Sequence, residues 1–85
     1  MTAFDYSREA ELFPARVAKS RGKSFSYQRF ERAADAIQFA MEVLPAQYLA
    51  GAYLEIDEQR FDAGGIRLLY ESSEYPLIRS RAERG

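Results

Sequence analysis

Cysteine and histidine are both missing from the 85 residues of this chain. Without cysteine there is no disulfide, no thiolate metal site and no thiol nucleophile. Without histidine the chain lacks the commonest general base and the commonest transition-metal ligand. No apolar run approaches the ~20 residues that a membrane-spanning helix needs. The opening residues, MTAFDYSREAE, hold no basic stretch followed by an apolar one, so no signal peptide is expected and a cytoplasmic setting follows as the default. An excess of one charge is missing too: 12 bases and 13 acids leave a net charge of −1, which points to neither nucleic acid nor a membrane surface. No internal repeat or low-complexity segment is visible.

What is present fits a small globular domain. The hydrophobic fraction of 47% beside 29% charged residues is too apolar for a disordered chain. A chain of this length makes one domain with a modest core, so self-association would add stability. Residues 1–11 and 79–85 read as mobile ends, with Phe4 and Tyr6 available to anchor the first of them.

The strongest local signal is FERAADAIQFAMEVL, Phe30 to Leu44. Phe30, Ala33, Ala34, Ile37, Ala40, Met41 and Leu44 recur at helical spacing, and Glu31, Arg32, Asp35, Gln38 and Glu42 fall opposite them. Acids lie near its start, where the helix dipole favours them, and Pro45 ends it. Ala36, Phe39 and Val43 lie outside the main stripe and are apolar too. Including them leaves a polar arc of only roughly 120° on a wheel turning about 100° per residue. Such a helix needs cover from a second direction: the rest of its own chain, or a second subunit docking on Ala36, Phe39 and Val43.

Leu12 to Phe30 reads as a β-hairpin. Phe13, Ala15 and Val17 alternate with polar or small residues, Phe25 and Tyr27 do the same, and Ser20 to Lys23 supplies a glycine-containing turn. Pro14 confines the first arm to a sheet edge or to a start just after it. After the long helix comes a short connection, Ala46 to Ala50. Ala52 to Asp57 then alternates as a third strand with Ala52, Leu54 and Ile56 on the buried face. Glu58 to Phe61 turns the chain. Asp62 is the N-cap of a short C-terminal helix running from Ala63 to about Ser72, with Ile66, Leu69 and Tyr70 inward. The fold class is therefore α+β: a β-hairpin, a long central helix, a third strand and a short C-terminal helix, with the sheet packed on the helices. Tyr75 to Ile78 forms an extended patch that packs on the core or on a partner.

Candidate chemistry is sparse. Arg16, Lys19, Arg21 and Lys23 form a basic stretch free of acids, and Tyr27 lies just beyond it, so this hairpin is a candidate nucleic-acid contact by phosphate pairing and base stacking. The simpler reading is a solvated turn whose charges discourage edge pairing. Residues 31–62 hold seven acids and two bases. Glu55, Asp57, Glu58 and Asp62 crowd one strand end, where a divalent metal or an acid–base pair is conceivable. Arg60 and Phe61 break the calcium-loop pattern, and Arg60 is placed to pair with Glu55 or Asp57. Gly64 and Gly65 would let an anion reach free helix amides, but no phosphate-loop motif accompanies them. Tyr53, Tyr70 and Tyr75 are candidates to line a cleft or to rim the core. No cofactor is implied. The basic hairpin, acidic middle and basic tail favour association with another copy or another charged protein.

With AADAIQFAMEVL, LAGAYLEIDEQRFDAGGIRLLYES and YPLIR in view, the chain resembles a group of small bacterial proteins of unknown function over roughly residues 24 to 79. That resemblance implies a bacterial, cytoplasmic setting and carries no activity, cofactor or catalytic residue with it. The ranked expectations are a non-enzymatic, self-associating binding module first, a nucleic-acid-binding module second, and a small enzyme or metal binder third.

Overall fold

A computed structural model describes residues 4–16 and 25–78. Its sheet is built from β1 (Ala10–Phe13), β2 (Gln28–Phe30), β3 (Tyr53–Ile56) and β4 (Gln59–Asp62), in the order β2-β1-β3-β4 with every neighbour antiparallel. The helices are α1 (Ala33–Glu42), the single turn α2 (Ala46–Leu49) and α3 (Ala63–Glu71). Both α1 and α3 pack on the same side of the sheet and against each other. The arrangement is α+β, as the sequence pattern requires.

Strand alternation separates two faces. Ala10 and Leu12 of β1, and Leu54 and Ile56 of β3, are buried under the helices with Ala52. Expected β3 residues thus take their expected sides. The β1–β2 hairpin also forms, but with shifted arms. β1 ends at Phe13, so Pro14 stops the pairing, and β1 lies inside the sheet rather than at its edge. Phe13 consequently points to the face opposite the core. The expected arm residue Val17 and the turn Ser20 to Lys23 lie outside the described residues.

Residues Phe4 to Glu11, read from sequence as loose, are drawn in by the needs of α1. The first amides of a helix have no partner within it. Arg32 provides no side-chain cap. Instead, the Ala33 N–H donates to the Arg8 carbonyl (2.7 Å) and the Ala34 N–H to the Tyr6 carbonyl (3.0 Å). These bonds fix residues 6–8, and Tyr6 enters the core. They also explain why α1 begins at Ala33. Phe30, expected in the helix, is instead held in β2 opposite Ala10.

The wide apolar face of α1 is covered by its own chain. Ala36 is fully buried, and Phe39 is partly covered, its ring 5.7 Å from Phe30 and 6.3 Å from Phe25. α3 supplies the other cover. Three tyrosines fasten that layer. The Tyr6 hydroxyl donates to the Leu69 carbonyl (2.9 Å), Tyr70 to the Glu42 carboxylate (2.6 Å) and Tyr75 to the Ala34 carbonyl (3.2 Å). Tyr75 contacts the rings of both Tyr6 and Tyr70. Of the extended patch after α3, Tyr75 is therefore core, Leu77 packs against it, and Ile78 is exposed.

Two local features were not legible in advance. Residues 58–61 do not simply turn. Ile56 pairs with Gln59, leaving Asp57 and Glu58 as a two-residue hairpin loop, and both have positive φ (48° and 66°). That is the signature of a type I′ turn, normally marked by Asn-Gly or Asp-Gly. The connection after α1 also winds into α2, with Pro45 at its N-cap. Gly51 follows it, where an added Cβ would stand 3.0 Å from the Ala15 Cβ, so close packing demands the glycine.

Candidate functional site

The face of the sheet turned away from the helices is uncovered in the described chain. Strand alternation sets Glu11 and Phe13 of β1, Arg29 of β2, Tyr53 and Glu55 of β3, and Arg60 and Asp62 of β4 on it. Cross-strand register arranges them in rows. One row runs Arg29, Glu11, Glu55, Arg60. The next pairs Phe13 with Tyr53 and Tyr53 with Asp62.

The second row is an aromatic strip. Phe13 and Tyr53 stack, with centroids 4.7 Å apart and planes 15° apart. Tyr27, just before β2 and 48% exposed, leans on the other side of Phe13 at 5.0 Å. Arg60 closes the strip, its guanidinium carbon 4.3 Å from the centre of the Tyr53 ring. The sequence reading paired Arg60 with Glu55 or Asp57. It does stand opposite Glu55 in the register, but its guanidinium lies over the ring, which the cation–π attraction favours.

The neighbouring row carries the charge. Glu11 and Glu55 stand directly opposite each other, an unfavourable like-charge pair in isolation. Glu11 is relieved by the Tyr27 hydroxyl, which donates to it at 3.0 Å. That bond holds the phenol proton and pushes the Tyr27 ionisation above the ordinary tyrosine range. Arg29 donates to Glu9, and this ion pair raises the already high guanidinium pKa further. Arg8 pairs with Asp57 at 2.8 Å, tying the N-terminal segment to the β3–β4 turn. Each pair is exposed, so solvent screens it and it adds little to stability. Around them lies a shallow hollow of about 490 Å³ lined by Glu9, Glu11, Arg29, Glu55, Asp57 and Glu58. A second hollow, about 510 Å³, lies past Tyr53 and Arg60 towards Gly51 and Gly65.

The residues singled out from sequence fall in different places. Ala36 is core, Phe39 is half-buried, and only Val43, 53% exposed, remains open on that side of α1. The three therefore make no common free surface. Arg16 is exposed beyond Pro14 and Tyr27 belongs to the aromatic strip, whereas Lys19, Arg21 and Lys23 lie outside the described residues. Tyr70 and Tyr75 are buried, on the opposite side of the sheet from Tyr53, so the three tyrosines line no shared cleft. Asp62 caps α3 as expected, accepting from the Gly65 N–H at 2.9 Å. Its carboxylate thus occupies an amide that an anion at Gly64 and Gly65 would need. Among the described residues no group of three or more metal-binding side chains stands together. No helix among them is long and apolar enough to cross a membrane.

Phe13, Tyr53, Arg60 and Glu11 were not singled out as one surface. The phase of β1 was the missing signal: taking Ala10 and Leu12 as inward puts Glu11 and Phe13 outward beside Glu55 and Tyr53. No known family model, curated protein or solved structure matches the chain.

Proposed function

We propose that the protein is a non-enzymatic interaction module that associates with a second copy of itself through the open face of its sheet. The observation carrying this reading is the strip Tyr27–Phe13–Tyr53–Arg60, which crosses the sheet with no helix or loop of the described residues over it. Aromatic and arginine side chains of this kind are the usual energetic centres of protein interfaces. Both signs of charge border the strip, so the fitting surface must carry both signs, as a second copy does. The self-association inferred from α1 thereby moves from Ala36, Phe39 and Val43 to the sheet.

Sedimentation equilibrium tests it. The wild type is expected to dimerise, and Tyr27→Ser with Tyr53→Ser to shift it to monomer with little change in melting temperature. A wild type that stays monomeric at roughly 1 mM, equivalent to less than about 4 kcal/mol of association free energy, would refute the reading.

Nucleic-acid binding through Arg16, Lys19, Arg21, Lys23 and Tyr27 is the second reading. The exposed ring of Tyr27, set against the half-buried ring of Phe13, favours it, because bases stack on such platforms. Glu11 and Glu55, one row away, oppose it by repelling phosphate. Retention of single-stranded nucleic acid on a filter at low salt, lost on Tyr27→Ser, decides for it; no retention removes it. A divalent-metal or acid–base role near Asp57 has less support, since Asp57 is held by Arg8.

A further inference from the structure

We infer that the outer edge of β4 pairs with β4 of a second copy, antiparallel and centred on Phe61. This contact is separate from the open face: it runs along the rim of the sheet and joins two sheets side by side.

The backbone gives the first reason. β4 ends the order β2-β1-β3-β4, so no strand among the described residues lies on its outer side. α3 follows it directly but packs back against α1. Across the two-residue turn Asp57-Glu58, Ile56 stands opposite Gln59, and such a pair exchanges both of its backbone bonds. The ladder alternates, so Leu54 and Phe61 bond next, and the backbone groups of Arg60 and Asp62 turn outward. The Asp62 carbonyl begins α3, which leaves the Arg60 N–H and carbonyl and the Asp62 N–H along the rim. Two antiparallel copies of the strand can join these groups in three registers: Arg60 on Arg60, Asp62 on Asp62, or Arg60 on Asp62.

Charge selects among them. The first two registers set like charges directly opposite, which is unfavourable across a ladder. The third sets Arg60 of each copy against Asp62 of the other, twice, on one face. The ion pairs of the described residues, Arg8 with Asp57, Arg29 with Glu9 and Arg32 with Asp35, use neither of them. In this register the Asp62 N–H of each copy donates to the Arg60 carbonyl of the other. Phe61, partly buried beside Phe4 and Gly65, falls at the two-fold axis, where facing Cα atoms come within about 4.5 Å. Charged side chains on an edge usually discourage pairing. Here their alternation attracts one antiparallel copy and repels the shifted ones. β2, the other edge, carries Arg29 without an acid and offers a copy of itself no such match. The contact is isologous and gives eight continuous strands with both open faces on the same side. Four residues span only about 14 Å. This contact is therefore weaker than the open-face one, and it forms at higher concentration.

Amide hydrogen exchange, followed residue by residue by NMR on the intact chain, tests the pairing. Phe61, bonded to β3, is expected to be protected at every concentration. Asp62 is expected to exchange freely in dilute protein and to slow about tenfold as concentration rises towards roughly 1 mM and about nine-tenths of the edges pair. The slowing is expected to persist in Tyr27→Ser with Tyr53→Ser, whose open face is disabled, so failure of the open-face reading leaves this one standing. Arg60→Glu sets acids on acids across the seam and is expected to abolish the slowing. Adding unlabelled Asp62→Lys to labelled Arg60→Glu sets acids on bases again and is expected to restore it, with melts confirming that both variants fold. An Asp62 amide that exchanges freely at every concentration would overturn the pairing and leave the edge to a strand of another protein. One equally protected at every concentration would place its partner within the chain and overturn it too. Slowing that survives Arg60→Glu, that the mixture fails to restore, or that vanishes with the open face would each do the same.

Discussion

Glu58→Gly is expected to stabilise the protein. Glu58 sits at φ 66° in the second position of the β3–β4 turn, next to Asp57 at φ 48°. For an L-residue the left-handed region costs roughly 1–2 kcal/mol, and glycine escapes it. Glycine also leaves a more disordered unfolded chain, which returns about 0.5–1 kcal/mol of the gain. The net stabilisation is about 0.5–1 kcal/mol, a rise in melting temperature of about 2–8 °C for a domain of this size. Removing one of the carboxylates that line the hollow beside this turn would itself help a little, so Glu58→Ala is the control: it loses the charge and keeps the strain. Thermal melts of the three proteins, repeated at high salt, separate the effects. A glycine variant no more stable than the alanine one would refute the assignment of backbone strain to this turn.

Three further outcomes are expected. Ile37→Ala, at a fully buried position of α1, should cost about 2–5 kcal/mol in a denaturant titration, while Val43→Ala, half exposed at the C-cap of α1, should stay within about 0.5 kcal/mol. Asp62→Ala should cost about 1 kcal/mol by freeing the Gly65 amide, and Asp62→Asn should recover most of it. The phenol of Tyr27 should ionise at higher pH than an ordinary tyrosine, seen as the difference between wild-type and Tyr27→Phe ultraviolet titrations, and Glu11→Gln should bring it back down. Because the folded state holds that proton more tightly, the stabilisation is complete below the unfolded tyrosine pKa and is lost as pH rises through the higher folded value.

Where residue pattern and local chemistry agreed, the structure was readable from sequence. The α1 stripe, the inward set Ala52, Leu54 and Ile56, and the Asp62 cap all follow from periodicities of 3.6 and 2 or from a side chain bonding its own neighbours. What was illegible depended on partners distant in sequence. Phe30 has helical spacing with Ala33 and Ala34, but pairing with Ala10 claims it for β2. Residues 6–8 have no period of their own and are ordered because α1 needs their carbonyls. The β3–β4 hairpin hid behind a turn written Asp-Glu rather than Asp-Gly. The candidate surface was obscured for the same reason: with β1 one residue out of phase, Phe13 reads as core, and its stack with Tyr53 disappears from view.

The bonds from Tyr6 to Leu69 and from Ala34 to Tyr6 join the first described residues to the middle and the last helix of the chain. A ribosome releases these parts at widely separated moments. Until Tyr70 and Tyr75 emerge, the upper side of α1 has nothing to lie against, and the opening residues have only half their anchors. This domain therefore closes only once α3 and Tyr75 have emerged, rather than gaining its full stability hairpin by hairpin as it leaves the tunnel.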